Sequence, residues 1–212
     1  MKIKFDSKTP LKILCLGAHC DDIEIGAGGT LLKFFNEYEI EQVIWIIFAS
    51  NEVRKAEAIK SAEMFLSGVS NKKIIVNTFR DGYFPFQGTE IKEYFEEIKN
   101  EISPDVIFTH YRNDRHQDHR LISDLTWNTW RNQFILEYEI PKYDGDLGIP
   151  NFYVELNKDY ISNRNKIVID SFVSQHSKHW FDEATFNALS RIRGLESATL
   201  FAEAFYVRKL IL

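Results

Sequence analysis

The sequence has little cysteine, no long apolar run and no cluster of basic residues. Two cysteines in 212 residues cannot form the disulfide framework of a small secreted domain, and nothing indicates an oxidising compartment. No apolar run approaches the roughly 20 residues that a membrane-spanning helix needs, and the first residues have no apolar signal core. We therefore expect no transmembrane segment and a cytoplasmic location.

The charge pattern also excludes some partners. The net charge is only −5, and the lysines and arginines are scattered, so no basic face predicts binding to nucleic acid or to an anionic membrane. With 44% hydrophobic residues, the chain can bury one sizeable core. We expect one domain over residues 1–212, and the possibility of a homo-oligomer stays open.

Apolar runs alternate with helical patterns along the chain, and residues 141–150, rich in Pro, Gly and Asp, predict a loop. The predicted strands cover residues 11–17, 42–48, 73–79, 105–109, 134–138, 152–156 and 204–211. The predicted helices cover residues 28–38, 51–67, 90–102, 118–131, 157–178 and 182–193.

This alternation predicts an α/β fold, a three-layer α/β/α sandwich with a Rossmann-like, mainly parallel sheet. In the commonest order for such sheets, strand three lies outside strand two, strand two beside strand one, and strand four on the other side of strand one. The loops after strands one and four then flank the point where the strand order reverses. Ligands bind at that point in open α/β sheets.

Both of those loops carry acidic and histidine side chains. The first reads Ala18-His19-Cys20-Asp21-Asp22-Ile23-Glu24, and the second reads Asp114-Arg115-His116-Gln117-Asp118-His119. A buried cluster of carboxylates and imidazoles is costly unless it is paired, and a metal cation would compensate it. Fold and chemistry therefore indicate one metal site between the two loops.

His19, Asp22 and His119 would provide two nitrogens and one carboxylate, the ligand number of a catalytic zinc site with an open position. Asp21 is then the candidate general base for a water molecule, and His116 the group that stabilises an oxyanion or protonates a leaving amine.

Asp114 or Asp118 could orient a ligating histidine. Taken singly, these residues have simpler interpretations: a lone histidine near a strand end is usually a surface or core residue, and an Asp-Asp pair usually caps a helix. Gly26, Gly28 and Gly29 do not form a dinucleotide motif, so close helix packing is the expected role.

Three more residues are candidates for substrate binding. Arg54, in the first turn of the second helix, could bind an anionic substrate group or be solvated. Tyr143 and Asp144, with Asp146, lie in the 141–150 loop, which could form part of the substrate wall or be a simple connection. His176, His179 and Trp180 are expected at the surface or in packing.

The two motifs resemble those of a known family. The first, with the following Gly26-x-Gly28-Gly29-Thr30, resembles the Ala-His-Pro-Asp-Asp-Glu motif of the LmbE-like, or PIG-L, zinc-dependent de-N-acetylases. The second resembles the other conserved motif of that family. Weaker matches are Arg54-x-x-Glu57 with Ala62, Asp81-Gly82, Ser174-Gln175 and Ala202-Glu203-Ala204-Phe205.

The resemblance implies the same roles as the chemistry: His19, Asp22 and His119 bind Zn²⁺, Asp21 is the base and His116 assists. It also implies a hydrolase that removes an N-acetyl or similar small acyl group from an amino sugar or its conjugate, with a small-molecule partner and a link to surface-polysaccharide or glycoconjugate synthesis. The alternatives are a zinc hydrolase of non-sugar amides or esters, and an inactive sugar- or nucleotide-binding relative.

The sequence departs from the family motif at two positions. Cys20 replaces the usual proline, and Ile23 stands where an acidic residue is usual, so that Glu24 comes one position later. Cys20 could loosen the loop or add a thiolate near the metal, but the spacing from His19 to Asp22 is intact.

Overall fold

The structure, a computed structural model, describes residues 9–210, and in this range the chain forms seven strands and six α-helices. None of these helices is long and apolar enough to cross a membrane. The strands are β1 (Leu11–His19), β2 (Ile40–Ala49), β3 (Lys72–Val76), β4 (Val106–His110), β5 (Phe134–Tyr138), β6 (Phe152–Leu156) and β7 (Phe201–Tyr206). The helices are α1 (Asp22–Glu37), α2 (Glu52–Phe65), α3 (Gly88–Glu101), α4 (Gln117–Thr129), α5 (Lys158–Ser171) and α6 (Glu183–Glu196).

The strands form one sheet in the order β3-β2-β1-β4-β5-β7-β6. The pairs among β1 to β5 are parallel, whereas β7 pairs antiparallel with both β5 and β6. The predicted mainly parallel sheet and the predicted order of the first four strands are confirmed. The loops after β1 and β4 consequently meet at the carboxyl edge of the sheet.

Two hydrophobic clusters cover the two faces of this sheet. Successive side chains of a strand point to opposite faces, and β1 follows this rule. Ile13 and Cys15 pack in a cluster with residues of α1, α2 and α5, while Leu14 and Leu16 pack in a second cluster with residues of α3 and α4. The sheet is therefore the middle of three layers, as predicted.

The glycines of α1 allow this helix to approach other elements closely. A Cβ atom at Gly26 would lie 2.3 Å from Tyr138 Cδ2 of β5, and one at Gly29 would lie 2.6 Å from Leu156 Cδ1 of β6. Real side-chain contacts of this length do not occur, so larger residues would force the helix away from the sheet. The predicted packing role of these glycines is confirmed.

Several predicted boundaries are wrong. β3 ends at Val76 rather than at residue 79. α1 begins at Asp22 rather than at residue 28. α5 ends at Ser171 rather than at residue 178, because the chain turns into a 3₁₀ segment, Val173–Gln175, where Ser174 N and Oγ donate to the Glu57 carboxylate at 2.8 and 2.6 Å.

The closing strand, predicted over residues 204–211, is β7. β7 covers Phe201–Tyr206 instead, because it pairs with β6 from Phe152 opposite Phe205 to Leu156 opposite Phe201. The end of the predicted strand, Ile211, lies outside the described residues.

Candidate metal centre and active site

The turn between β1 and α1 brings an imidazole and a carboxylate together. His19 is the last residue of β1 and Asp22 the first of α1. Between them, Asp21 has a left-handed backbone with a φ of 92°, which is uncommon for residues other than glycine. This turn lets Asp22 Oδ2 accept a hydrogen bond from His19 N at 2.7 Å and lie 3.5 Å from His19 Nδ1.

The first turn of α4 adds a third donor, because β4 lies beside β1. His119 Nε2 is 3.2 Å from His19 Nδ1 and 3.6 Å from Asp22 Oδ2. With zinc–ligand bonds of roughly 2.0–2.2 Å, two donors of a tetrahedral site lie about 3.4 Å apart. The three observed separations therefore fit a zinc ion.

His119 and His19 differ in their protonation. Burial lowers the pKa of His119 to about 4, so the ring is neutral at neutral pH, which is the form that binds metals. Burial would also lower the pKa of His19, but hydrogen bonds to Asp118, Asp22 and Asp81 raise it overall. A metal bound here would have to displace a proton from His19, which makes metal affinity depend on pH.

The His119 and His19 rings each contact a carboxylate through the nitrogen that faces away from the candidate metal site. His119 Nδ1 lies 2.9 Å from Asp114 Oδ2, and His19 Nε2 lies 3.2 Å from Asp118 Oδ2. Asp118 is itself fixed, since it accepts hydrogen bonds from Gly82 N at 2.7 Å and Phe84 N at 3.1 Å. Contacts of this kind set the tautomer of a ligating histidine and leave its other nitrogen free for the metal.

Asp114 also organises the start of α4, because its other oxygen accepts a hydrogen bond from His116 N at 2.8 Å. Burial would raise the pKa of Asp114, but the hydrogen bond from His119 and the neighbouring positive charges lower it well below the ordinary value. This carboxylate is therefore charged throughout the neutral range.

Asp21, the candidate base, is paired with the cation predicted as a substrate ligand. Arg54 Nη2 lies 2.9 Å from Asp21 Oδ2 and forms an ion pair with it, but the angles do not meet those of a hydrogen bond. Arg54 Nη2 donates a hydrogen bond to the Cys20 carbonyl instead. Burial raises the pKa of Asp21 to about 6, and the charge of Arg54 opposes that rise. Arg54 also lines a cavity of about 600 Å³ with Asn51, Glu52, Val53, Ser174 and Gln175.

His116 is half-buried at the N-terminus of α4, and its ring meets that of His19 edge-on, with centroids 4.8 Å apart. Its Nδ1 accepts a hydrogen bond from Asp118 N at 3.3 Å, so Nε2 carries the proton of the neutral ring. Burial and the positive charge of His19 lower the pKa of His116. A neutral His116 can donate a hydrogen bond through Nε2.

His110, at the end of β4, is a member of the cluster that the sequence did not reveal. It is fully buried, it lies 3.3 Å from Asp22 Oδ2, and its ring stacks on His119 with centroids 3.9 Å apart. Its Nε2 accepts a hydrogen bond from Ala18 N at 2.9 Å, which occupies the lone pair that a metal would need. The sequence feature that could have indicated His110 is its position at the end of a fully buried strand.

Of the three loop residues predicted for the substrate wall, Asp146 contacts the site segment, because its Oδ2 accepts a hydrogen bond from Arg115 N at 2.7 Å. Tyr143 and Asp144 are exposed, and the Tyr143 ring lies near His179, with centroids 5.1 Å apart. Lys142 points inward instead, and its Nζ lies 3.0 Å from Asp114 Oδ2. Lys142 was not among the predicted site residues, because a lysine in a polar loop is usually solvated.

Comparison with known proteins identifies the family. The model of the PIG-L family, described as GlcNAc-PI de-N-acetylase, matches residues 14–130, more than half of the chain.

The chain belongs to the PIG-L family.

Solved structures with the same fold include the N,N'-diacetylchitobiose deacetylase from Pyrococcus horikoshii. It is 21% identical, with 96% of this chain and 87% of that chain covered and a TM-score of 0.73. The zinc inhibited form of teicoplanin deacetylase Orf2 is 13% identical, with 92% and 97% covered and a TM-score of 0.69. GalB, the 4-carboxy-2-hydroxymuconate hydratase from Pseudomonas putida KT2440, is 12% identical, with 95% and 98% covered and a TM-score of 0.74. At these identities the likeness concerns the fold alone.

The departure of this PIG-L chain at Cys20 has a structural explanation. Cys20 is fully buried, and its Sγ lies 3.6 Å from the Ala49 carbonyl as a weak donor. Burial raises the pKa of Cys20 to about 12, so it remains a thiol near neutral pH. Of the two roles considered for Cys20, burial therefore disfavours the thiolate near the metal. Cys15 is also a free, buried thiol.

Proposed function

We propose that this protein is a zinc-dependent hydrolase that removes an N-acetyl or similar small acyl group from an amino sugar or sugar conjugate. The observation that carries the proposal is the triangle of His19, Asp22 and His119 donors at 3.2–3.6 Å, with a carboxylate behind each imidazole. Zinc held by these residues would supply a Lewis acid that polarises an amide carbonyl and activates water at neutral pH.

The remaining steps belong to side chains of the chain itself. Asp21, kept ionised by Arg54, accepts a proton from the attacking water. His116 donates a hydrogen bond from Nε2 to the oxyanion that develops on the carbonyl. As the carbon–nitrogen bond breaks, the proton held by Asp21 passes to the amine nitrogen, and His116 assists this departure as a hydrogen-bond donor. Asp114 and Asp118 hold the two ligand rings in place.

Recognition of the sugar is assigned to groups around this centre. Tyr143 and Asp144 are exposed on the 141–150 loop, where a phenol ring and a carboxylate can contact a sugar ring and its hydroxyl groups. Arg54, although paired with Asp21, lines the adjoining cavity and can reach a polar substrate group there. We further propose that the chain is a single domain, that it acts in the cytoplasm, and that its partner is a small-molecule substrate rather than a nucleic acid.

Two other functions are kept as alternatives: hydrolysis of non-sugar amides or esters, and binding without turnover. GalB, whose name describes a hydratase, has the same fold, so the fold alone does not choose the reaction. The test is acetate release from a panel of N-acetylated amino sugars, free and carrier-linked, with O-acetylated sugars and simple acetamides as comparisons.

We expect acetate from N-acetylated sugars by the zinc-loaded protein, and none after zinc is removed. Asp21→Asn, which keeps the shape of the side chain and tolerates the left-handed backbone, should retain zinc and lose about 10²- to 10⁴-fold in kcat. Acetate only from esters or acetamides would favour the first alternative, and sugar binding without acetate would favour the second.

A further inference from the structure

Lys142 joins the 141–150 loop to the candidate metal centre. Its side chain is only 10% exposed, and its Nζ lies between two carboxylates, 3.0 Å from Asp114 Oδ2 and 2.5 Å from Asp146 Oδ2. Asp146 Oδ2 also accepts a hydrogen bond from Arg115 N at 2.7 Å. The loop is therefore attached to the 114–119 segment by an ion pair and a backbone hydrogen bond.

The Asp114 oxygen that Lys142 contacts is the one that faces His119. His119 Nδ1 lies 2.9 Å from Asp114 Oδ2, so an ammonium and an imidazole N–H share this single oxygen. Asp114 is almost fully buried, and an ionised carboxylate in that position is costly unless a positive charge compensates it. Lys142 supplies that charge, and its position limits how far Asp114 can rotate.

The three residues between Lys142 and Asp146 face outward. Lys142 contacts Asp114 and Asp146 accepts a hydrogen bond from Arg115 N, whereas Tyr143 and Asp144 are exposed. The ion pair that fixes Asp114 thus also fixes the two residues assigned to sugar recognition. Removal of the Lys142 charge should disturb the metal centre and the loop together, whereas truncation of Tyr143 should disturb the loop alone.

We propose that Lys142 is a positioning residue of the metal centre, which holds Asp114 and through it His119 and the backbone of His116. This inference rests on the proposed function. Residues that orient a metal ligand typically contribute 10- to 100-fold to metal affinity or activity. Since Lys142 acts through Asp114, we expect an effect of about 10-fold.

The experiment compares Lys142→Met, which keeps the length of the side chain but not its charge, with Lys142→Arg, which keeps the charge. Zinc affinity is measured by competition with a chelator, and ligand geometry by the visible spectrum of the Co²⁺-loaded protein. We expect Lys142→Met to lose about 10-fold in zinc affinity with an altered cobalt spectrum, and Lys142→Arg to restore both. Tyr143→Ala, the matched loop control, should leave both measurements unchanged.

Wild-type zinc affinity and cobalt spectrum in Lys142→Met would overturn the inference, and so would an equal loss in the Met and Arg variants. If Lys142→Met does not fold, Asp146→Asn replaces it, because that change weakens the anchor of Lys142 and leaves Asp114 intact. A smaller loss of zinc affinity supports the inference, and no loss overturns it. Wild-type protein that binds no zinc at all would instead refute the proposed function.

Discussion

The guanidinium of Arg54 lies 2.9 Å from the carboxylate of Asp21, so the charge state of the proposed base depends on a neighbouring cation. Both groups lie at the end of the sheet where the loop after β1 meets the start of α2. Arg54 lowers the pKa of Asp21, while burial raises it to about 6. The base is active only when it is ionised, which happens above that pKa.

Arg54→Met should therefore move the acid limb of the pH profile to higher pH. Loss of the positive charge favours protonated Asp21, so its pKa rises and kcat/KM begins to fall at a higher pH than in the wild type. The measurement is kcat/KM against pH for both proteins, with Arg54→Lys as the control that keeps the charge. An acid limb that does not move would exclude Arg54 as the group that keeps Asp21 ionised.

His119→Ala should remove most of the bound zinc, from about one ion per chain to a small fraction, because two remaining ligands make a poor site. Metal content of the purified variants is the measurement. Cys20→Ala is the matched control, since this buried residue lies between the candidate ligands His19 and Asp22, contacts the Ala49 carbonyl and is expected to leave zinc bound. Unchanged zinc in His119→Ala would disprove the ligand assignment.

Tyr143→Ala and Asp144→Ala should raise KM or change the preferred sugar while zinc content stays constant. Both side chains are exposed on the 141–150 loop, so their loss removes substrate contacts without disturbing the metal ligands. Ile149→Ala, at a residue 91% exposed in the same loop, is the control and should have the wild-type KM. Wild-type kinetics in all three variants would make the loop a simple connection.

Gly26→Ala should lower the free energy of unfolding by about 1–3 kcal/mol, because the added methyl overlaps Tyr138, whose nearest ring atom would be 2.3 Å away. Tyr138 donates a hydrogen bond to the Leu16 carbonyl at 2.6 Å, so it has little freedom to retreat. Denaturant unfolding is the measurement. Gly88→Ala, where an added Cβ meets no atom within 4 Å, is the control, and an equal effect in both variants would contradict this account.

The sequence predicts the sheet order and the meeting of the two site loops because both follow from general rules. Parallel strands place their carboxyl ends at one edge, and the reversal of strand order locates the crevice. The strand order alone therefore predicts that the loops carrying His19 and His119 lie close together. The end of α5 was not predictable in this way, because its stop depends on the distant contact between Ser174 and Glu57.

His110 and Lys142 were missed for different physical reasons. His110 lies one residue beyond the predicted strand over residues 105–109, and its contact with Ala18 N arises only when β4 lies beside β1. Lys142 is buried by a long-range ion pair with Asp114 that no local pattern encodes. Local patterns indicated the loops with the candidate ligands, whereas the residues that support these loops depend on tertiary contacts.

The left-handed backbone at Asp21 is expected to lower the thermal stability of the protein at the residue proposed as the base. A non-glycine residue in a sparsely populated conformation costs on the order of 1–3 kcal/mol, and glycine adopts this region freely. Directed evolution that selects only for heat resistance is therefore expected to enrich Asp21→Gly, which relaxes the turn and removes the base. A screen for robust variants of this protein must include turnover, or it will collect stable and inactive chains.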